Sequence, residues 1–420
     1  MLINKRNSIS SMRLSFMICG FFVFYLGYML RSYLFQNEQW PRLISLIGIV
    51  IIFATFWEYR KNLKGCDIHW GYICNFYLLI CLLHIIIGVP LGFTKGNTTL
   101  LLFSSQFFYS FFIGYMMLLR LNLNNISVLF RWSLVYIIVS LLFNILNFND
   151  LFLNPSTNIA NMEGWDASII NRPQEPALLF LPISAFLIYY KCFELKWKII
   201  IPIVFILSLL ACMLSGRRSV SVTLVALAVL PFIIAKYKIT NIMVTILFLI
   251  IIFTLILSQI DSLNSLWENM FPVLSNRLDA QTRTGIERNF YNDMIDPIDW
   301  IFGRGMNGTY YCPTVSGIVQ LHRGIIETGY LNMILHGGLI MLISYVYLLC
   351  YAFIKGYYYS KNMFVKSCAV YIFLHILLLY PDGMPKLTYE YFILFIFVRI
   401  CVSTHWREKS NLQIKAAMFK

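Results

Sequence analysis

Charge is scarce in this chain. Asp, Glu, Lys and Arg supply only 12% of its 420 residues, about half of what a soluble domain carries. Hydrophobic residues supply 59%, and no soluble domain, linker or low-complexity tract breaks the pattern. A soluble globular protein is therefore excluded. The 6 histidines show no ligand spacing such as H-x-x-x-H, so the sequence offers no metal site. All 10 cysteines except Cys312 lie in or near apolar runs, where cysteine acts as a small hydrophobe, and no disulfide framework is expected. Acidic residues are missing from the centres of the apolar runs and no half-repeat is visible, which disfavours a secondary transporter. No small-residue cleavage site follows the first apolar run, so a removed signal peptide is not expected.

What the chain has instead is apolar segments of membrane-crossing length. Runs fall near 14–34, 42–57, 70–89, 99–119, 126–147, 176–190, 198–214, 219–235, 241–258, 329–354, 364–380 and 388–404. Because a bilayer offers no water to backbone groups, they are read as helices. The expected fold is an all-α polytopic membrane protein with about twelve spans, one integral membrane domain over 1–420.

Basic residues set the orientation. With the N-terminus in the cytoplasm, Lys5, Arg6, Arg13, Arg60, Lys61, Lys64 and later inner clusters take 21 of the 33 Lys and Arg, and the C-terminus returns to the cytoplasm. The formal charge of +14 then reads as anchoring against anionic lipid, not as a nucleic-acid surface. The split by type is sharper. Ten arginines lie outside against Lys95 and Lys386, whereas lysine outnumbers arginine inside.

Two long outer segments remain, 149–176 and 259–328. The second, between spans 9 and 10, is the main polar stretch. It carries Arg277, Arg283, Arg288, Arg304 and Arg323 with no lysine, and it is net acidic. Planar guanidinium groups suit bidentate binding of phosphate oxygens better than ammonium groups do. Eight aromatic residues in the loop, Trp267 and Trp300 among them, argue against disorder. The expectation is a set of short amphipathic helices packed on the outer membrane surface.

Thr284-Gly285-Ile286-Glu287 has capping-box spacing. It sets Arg283 just before a helix and Arg288 in its first turn, where free amides and the helix dipole favour an anion. The alternative is a capped surface helix whose arginines pair with Asp279 and Glu287. Gly303-Arg304-Gly305-Met306-Asn307-Gly308 matches G-x-G-x-x-G, but the βαβ context of a dinucleotide site is missing. These glycines are better read as a close backbone approach to a ligand or a tight turn, with Arg304 displayed between them. Ser215-Gly216-Arg217-Arg218-Ser219 holds two arginines at a span boundary, to bind an anion or to snorkel into headgroups. His322 is placed to act as a general base. His84, His336 and His375 fall within spans and are expected to be buried and hydrogen-bonded.

Together these segments resemble the bacterial O-antigen polymerase and O-antigen ligase superfamily. The matching parts are Ser215-Gly216-Arg217-Arg218, Arg283-Thr284-Gly285-Ile286, Phe302-Gly303-Arg304-Gly305 and His322. The helix that returns to the membrane adds Gly329-Tyr330-Leu331-Asn332 through Gly337-Gly338-Leu339-Ile340. The resemblance implies a glycosyltransferase of the bacterial cytoplasmic membrane. It would move a sugar chain from an undecaprenyl-diphosphate donor at the outer face, without nucleotide sugar, metal or cofactor. Arg217 or Arg218 and Arg283 or Arg288, with Arg304 and Arg323, would bind the diphosphate, and His322 would activate the acceptor hydroxyl. The family ligases usually carry His-Asn directly before the Tyr-Leu of the return helix. Here Glu327-Thr328 stands there, which makes Glu327 an alternative base and favours polymerase over ligase. A lipid-linked oligosaccharide flippase is the remaining alternative. Membrane lipid, a chain-length regulator and a flippase are the partners implied, with no nucleic acid.

Overall fold

The computed structural model describes residues 10–33, 40–59, 68–88, 113–146, 175–214, 220–221, 223–226, 282–313, 322–326, 328–380 and 385–418. The chain is an all-α membrane protein. Among the described residues six helices are long and apolar enough to cross a bilayer: Trp40–Trp57, His69–Ile87, Asn125–Leu146, Glu175–Cys192, Leu195–Met213 and Gly329–Tyr358. Nine of the expected spans coincide with described helices. Of the other three, 99–119 is described only from residue 113, 219–235 only at 220–221 and 223–226, and 241–258 lies outside the described residues.

The membrane helices are α1 (Ser11–Tyr33), α2 (Trp40–Tyr59), α3 (Ile68–Gly88), α4 (Asn125–Leu146), α5 (Glu175–Phe180) and α6 (Leu195–Leu214). α5 runs on as a 3-10 helix, Leu181–Cys192. α1 and α2 are joined through small residues. A Cβ on Gly48 would lie 2.3 Å from the Phe24 nitrogen, so only glycine lets the two backbones meet, the usual device where lipid supplies no hydrophobic drive. The polar segment holds α7 (Thr282–Asp293), α8 (Pro297–Phe302) and the paired strands β1 (Tyr310–Tyr311) and β2 (His322–Arg323). After it come α9 (Gly329–Tyr358), α10 (Met363–Leu378), α11 (Tyr389–Val402) and the short α12 (Thr404–Arg407) and α13 (Asn411–Met418).

Every residue of α11 is buried. It is apolar all round apart from Glu390 and Arg399, as a helix enclosed by others must be. Tyr389 at its start stacks on Tyr136 of α4 at 4.2 Å and meets Ser133 Oγ at 3.1 Å. Its length of 14 residues spans about 21 Å, short of a hydrocarbon core of roughly 30 Å.

Contacts between helix ends sort them into two levels. Met306 N donates to His84 O near the end of α3, and Gly329 N at the start of α9 donates to Tyr380 O just past α10. At the opposite level Lys361 N donates to Arg407 O, while Asn411 Oδ1 accepts from Met363 N and Tyr189 Oη. The polar segment thus sits where α3 and α10 end and α9 begins.

One expected element differs. The run 329–354 was read as an uninterrupted span, but the helical path breaks at Gly338, with φ 67° and ψ −175°. The polar segment occupies that break.

Candidate functional site

The polar segment folds around a small core of its own. Ile286, Phe290 and Met294 of α7 and the turn after it pack with Tyr310, Cys312 and Ile326, and with Leu331, Ile334 and Leu335 on the first turns of α9. The spacing 286, 290, 294 is one stripe of a helix. Phe290 meets Trp300 and Tyr310 edge-on at 5.8 and 5.7 Å, and Tyr291 stacks on Trp300 at 6.0 Å. Two short helices, α7 and α8, lie among the described residues of the segment; the β1–β2 pair was not foreseen.

α8 starts by a rule its sequence states. Asp296 is the N-cap, accepting from Ile298 N at 2.8 Å, and Pro297 fills the first helical position, where a missing N–H costs nothing. The helix stops at Gly303, φ 73°, whose N–H donates to Asp299 O at 2.9 Å. Positive φ recurs at Gly305. Of the two readings of these glycines the tight turn holds, and the backbone that approaches closely is the protein's own: a Cβ on Gly303 would lie 2.6 Å from Gly337 N and Gly338 N.

This turn fills the break in α9. Arg304 N donates to Leu335 O at 2.7 Å and Gly305 N to His336 O at 3.1 Å, the carbonyls that a continuous helix would bond to residues 339 and 340. His336 reaches back, with Nδ1 3.0 Å from Gly305 O and Nε2 3.0 Å from Gly324 O. His84 of α3, whose backbone carbonyl accepts from Met306 N, is buried. Its ring nitrogens make no hydrogen bond among the described residues, although the carbonyls of Ile80 and Cys81 lie one turn back. His336 and His375 therefore match the expectation of buried, hydrogen-bonded histidines; His84 is buried only.

Arg304 does not have the role expected of it. Its Nε donates to Asp299 Oδ2 at 2.7 Å, and its Nη1 donates to Asp293 Oδ2 and to Thr309 O at 2.7 Å. Nη2 donates to Asp293 O at 2.9 Å. Four of the five guanidinium N–H groups are thus held by the protein, so Arg304 clamps α7 to α8 and is not displayed to a ligand. Burial alone would lower its pKa, but the hydrogen bonds and charges of Asp299 and Asp293 outweigh burial and raise it.

The capping box is also corrected. α7 begins at Thr282, two residues before Thr284, and the Glu287 carboxylate accepts from Thr328 Oγ1 at the start of α9. Arg283 and Arg288 both lie within the helix, so Arg283 does not stand before it as expected. Arg288 is exposed, away from the stripe of Ile286 and Phe290.

In the strand pair Tyr310 faces Arg323 and Tyr311 faces His322. Neighbours along a strand point to opposite faces, so His322 and Arg323 diverge. His322 is exposed, with its ring against Tyr311 at 5.7 Å, while Arg323 shares the face of buried Tyr310. Neither Arg288 nor Arg323 makes an ion pair or hydrogen bond with another described residue. Arg217, Arg218 and Glu327 lie outside the described residues, as does Arg277. The structure brings together a set that sequence reasoning missed: Asp293, Asp299, Arg304, His336 and Gly338. The Asp296-Pro297 start and the Gly337-Gly338 pair were the available signals.

Comparison with family models, with characterised proteins and with solved structures found no match.

Proposed function

We propose that the chain is a polymerase of surface polysaccharide, joining undecaprenyl-diphosphate-linked oligosaccharide repeat units at the outer face of the bacterial cytoplasmic membrane. The observation that carries this reading is the polar segment, folded as a rigid aromatic platform into the head of a membrane helix. Exposed Arg288, Arg323 and exposed His322, the two arginines without a partner among the described residues, lie on that platform. This suits a donor whose tail stays in the bilayer while its diphosphate and sugars project above it.

In this reading an acceptor hydroxyl attacks the anomeric carbon of the donor sugar. The bond from that carbon to the diphosphate oxygen breaks, and undecaprenyl diphosphate leaves with the electron pair. The hydroxyl proton passes to His322, or to Glu327 beside Thr328. Negative charge grows on the leaving diphosphate, and fixed guanidinium groups stabilise it. Arg217, Arg218, Arg283, Arg288 and Arg323 are the candidates; Arg304 instead holds the platform in shape.

The test is purified protein in vesicles with a synthetic lipid-linked repeat unit, scored for chains longer than one repeat. Arg→Lys variants at 217, 218, 283, 288 and 323 keep charge but lose the bidentate fork. At least one should lose most polymer while remaining folded. Wild-type polymer from all five would remove arginine recognition from the mechanism.

The break in α9 supports a second reading, a lipid-linked oligosaccharide transporter, because broken helices build transporter binding sites. Against it, the freed carbonyls of Leu335 and His336 are taken by Arg304 N and Gly305 N, which leaves them unavailable to a cargo.

A further inference from the structure

α8 turns its apolar side chains outward. None of its residues is buried. Ile298, Ile301 and Phe302 are 63%, 43% and 52% exposed, and Ile295 just before it is 80% exposed. In the same stretch Asp293 and Asp299 are held by Arg304, and Asp296, itself exposed, caps the helix by accepting from Ile298 N. Four bulky apolar residues in eight positions, with Asp296 the one carboxylate there outside the Arg304 clamp, do not suit a surface facing water.

Their depth follows from α9. Its far end is marked by Lys355, whose Nζ lies 4.9 Å over the Tyr359 ring, and by exposed Tyr358 and Tyr359. Tyrosines and a lysine of this kind collect at a membrane interface. Gly338 lies sixteen residues before Ile354. At about 1.5 Å per residue that is roughly 24 Å, against a hydrocarbon thickness of about 30 Å. Gly338 therefore sits roughly 6 Å beneath the other hydrocarbon boundary, and any tilt of the helix takes it deeper.

α8 is fixed at that level. A Cβ on Gly338 would lie only 2.0 Å from Ile301 O, so the end of α8 touches the break itself. Leu339, Ile343, Tyr347 and Ile354 form an exposed stripe down α9 at helical spacing. Ile301 and Phe302 extend the apolar surface at the head of that stripe.

We propose that α8 is a re-entrant element of the membrane domain, with Ile295, Ile298, Ile301 and Phe302 immersed in the acyl chains of one leaflet. The break at Gly338 is what admits it. Backbone at such depth must be bonded within the protein, and the bonds from Arg304 N and Gly305 N into α9 and from Met306 N to His84 O supply this. The Arg304 clamp likewise pairs with Asp293 and Asp299 and so offsets part of the charge carried in with it. The inference rests on burial and position alone and holds whatever reaction the protein performs.

The test uses the full chain in phosphatidylethanolamine–phosphatidylglycerol vesicles. A genetically encoded fluorescent amino acid is placed at 295, 298, 309 or 343 in turn. Buried Cys312 should resist thiol reagents in each variant, which shows that the platform is folded. Lipids brominated near the top of the acyl chain should quench the probe at 295 and 298 about as strongly as at 343, and iodide should not. The probe at 309 should behave oppositely. Iodide quenching at 298 equal to that at 309 would overturn the proposal. So would protection of 298 from both quenchers, which would mean that a second copy of the chain covers α8.

Discussion

Replacing Gly338 by alanine tests the join between platform and membrane helix. The glycine holds φ 67° and ψ −175°, a region that costs an L-residue about 1–3 kcal/mol. The new methyl would meet Ile301 O at 2.0 Å and Ile301 C at 2.3 Å, both backbone atoms that cannot rotate away. Alanine also favours helix over glycine by about 1 kcal/mol, so the relaxed variant should straighten α9 and expel the turn at 303–306. The bonds from Arg304 N to Leu335 O and from Gly305 N to His336 O would then be lost, at about 0.5–1.5 kcal/mol each. The docked platform should lose roughly 1–3 kcal/mol, as strain if the break is kept or as the two lost bonds if α9 straightens. Hydrogen exchange in detergent or nanodiscs reads this directly. Amides 304–306 should exchange at least tenfold faster, about 1.4 kcal/mol in free energy, while the α10 and α11 amides stay protected. Gly71→Ala is the control, because nothing lies within 4 Å of a Cβ there; it should be neutral or slightly stabilising. Unchanged protection at 304–306 in folded Gly338→Ala protein would refute the account of the break.

Arg304→Lys should loosen the platform by about 2–4 kcal/mol, since an ammonium cannot serve Asp293, Asp299 and Thr309 O together. Faster proteolysis between α7 and α8 checks it, and wild-type resistance would count against the clamp. Because the Arg304 pKa is raised, the clamp's contribution is complete below the ordinary guanidinium value. It is lost only as pH rises through the folded value, so a change in platform stability between pH 6 and 9 should not come from Arg304. A cysteine at exposed Thr309 should react with impermeant thiol reagent on intact cells, whereas native Cys312, buried in the platform core, should react only after unfolding; labelling of 309 only in permeabilised cells would reverse the orientation. His322→Gln should abolish transfer while donor still binds, and Glu327→Gln should be milder, because a carboxylate is the weaker base unless burial raises its pKa; the opposite ranking at equal expression would move the base to Glu327.

The helices were legible because apolar runs of this length have no other stable form in a bilayer. The buried stripe of α7 was not read, since the Thr284–Glu287 spacing drew attention to a cap. That glutamate instead bonds Thr328, 41 residues away, which no local pattern announces. The break at Gly338 was hidden because paired glycines are common in membrane helices, and only the turn at Gly303 decides whether they kink. Arg304 looked free because its partners Asp293 and Asp299 are 11 and 5 residues back, neither at a spacing that a single continuous helix would bring to Arg304. The aromatic residues marked the segment as folded, as its described part is, but the arginine bias could not separate an arginine that builds the platform, Arg304, from one that faces outward, Arg288.

The central claim is tested most directly by the surface glycan of cells lacking this protein, run on a gel beside complemented cells. Polymerase activity predicts that the ladder of long chains collapses to a single attached repeat and returns with the wild-type chain. An unchanged ladder would contradict the account. So would loss of all attached glycan with long polymer accumulating on the lipid carrier, the signature of a ligase.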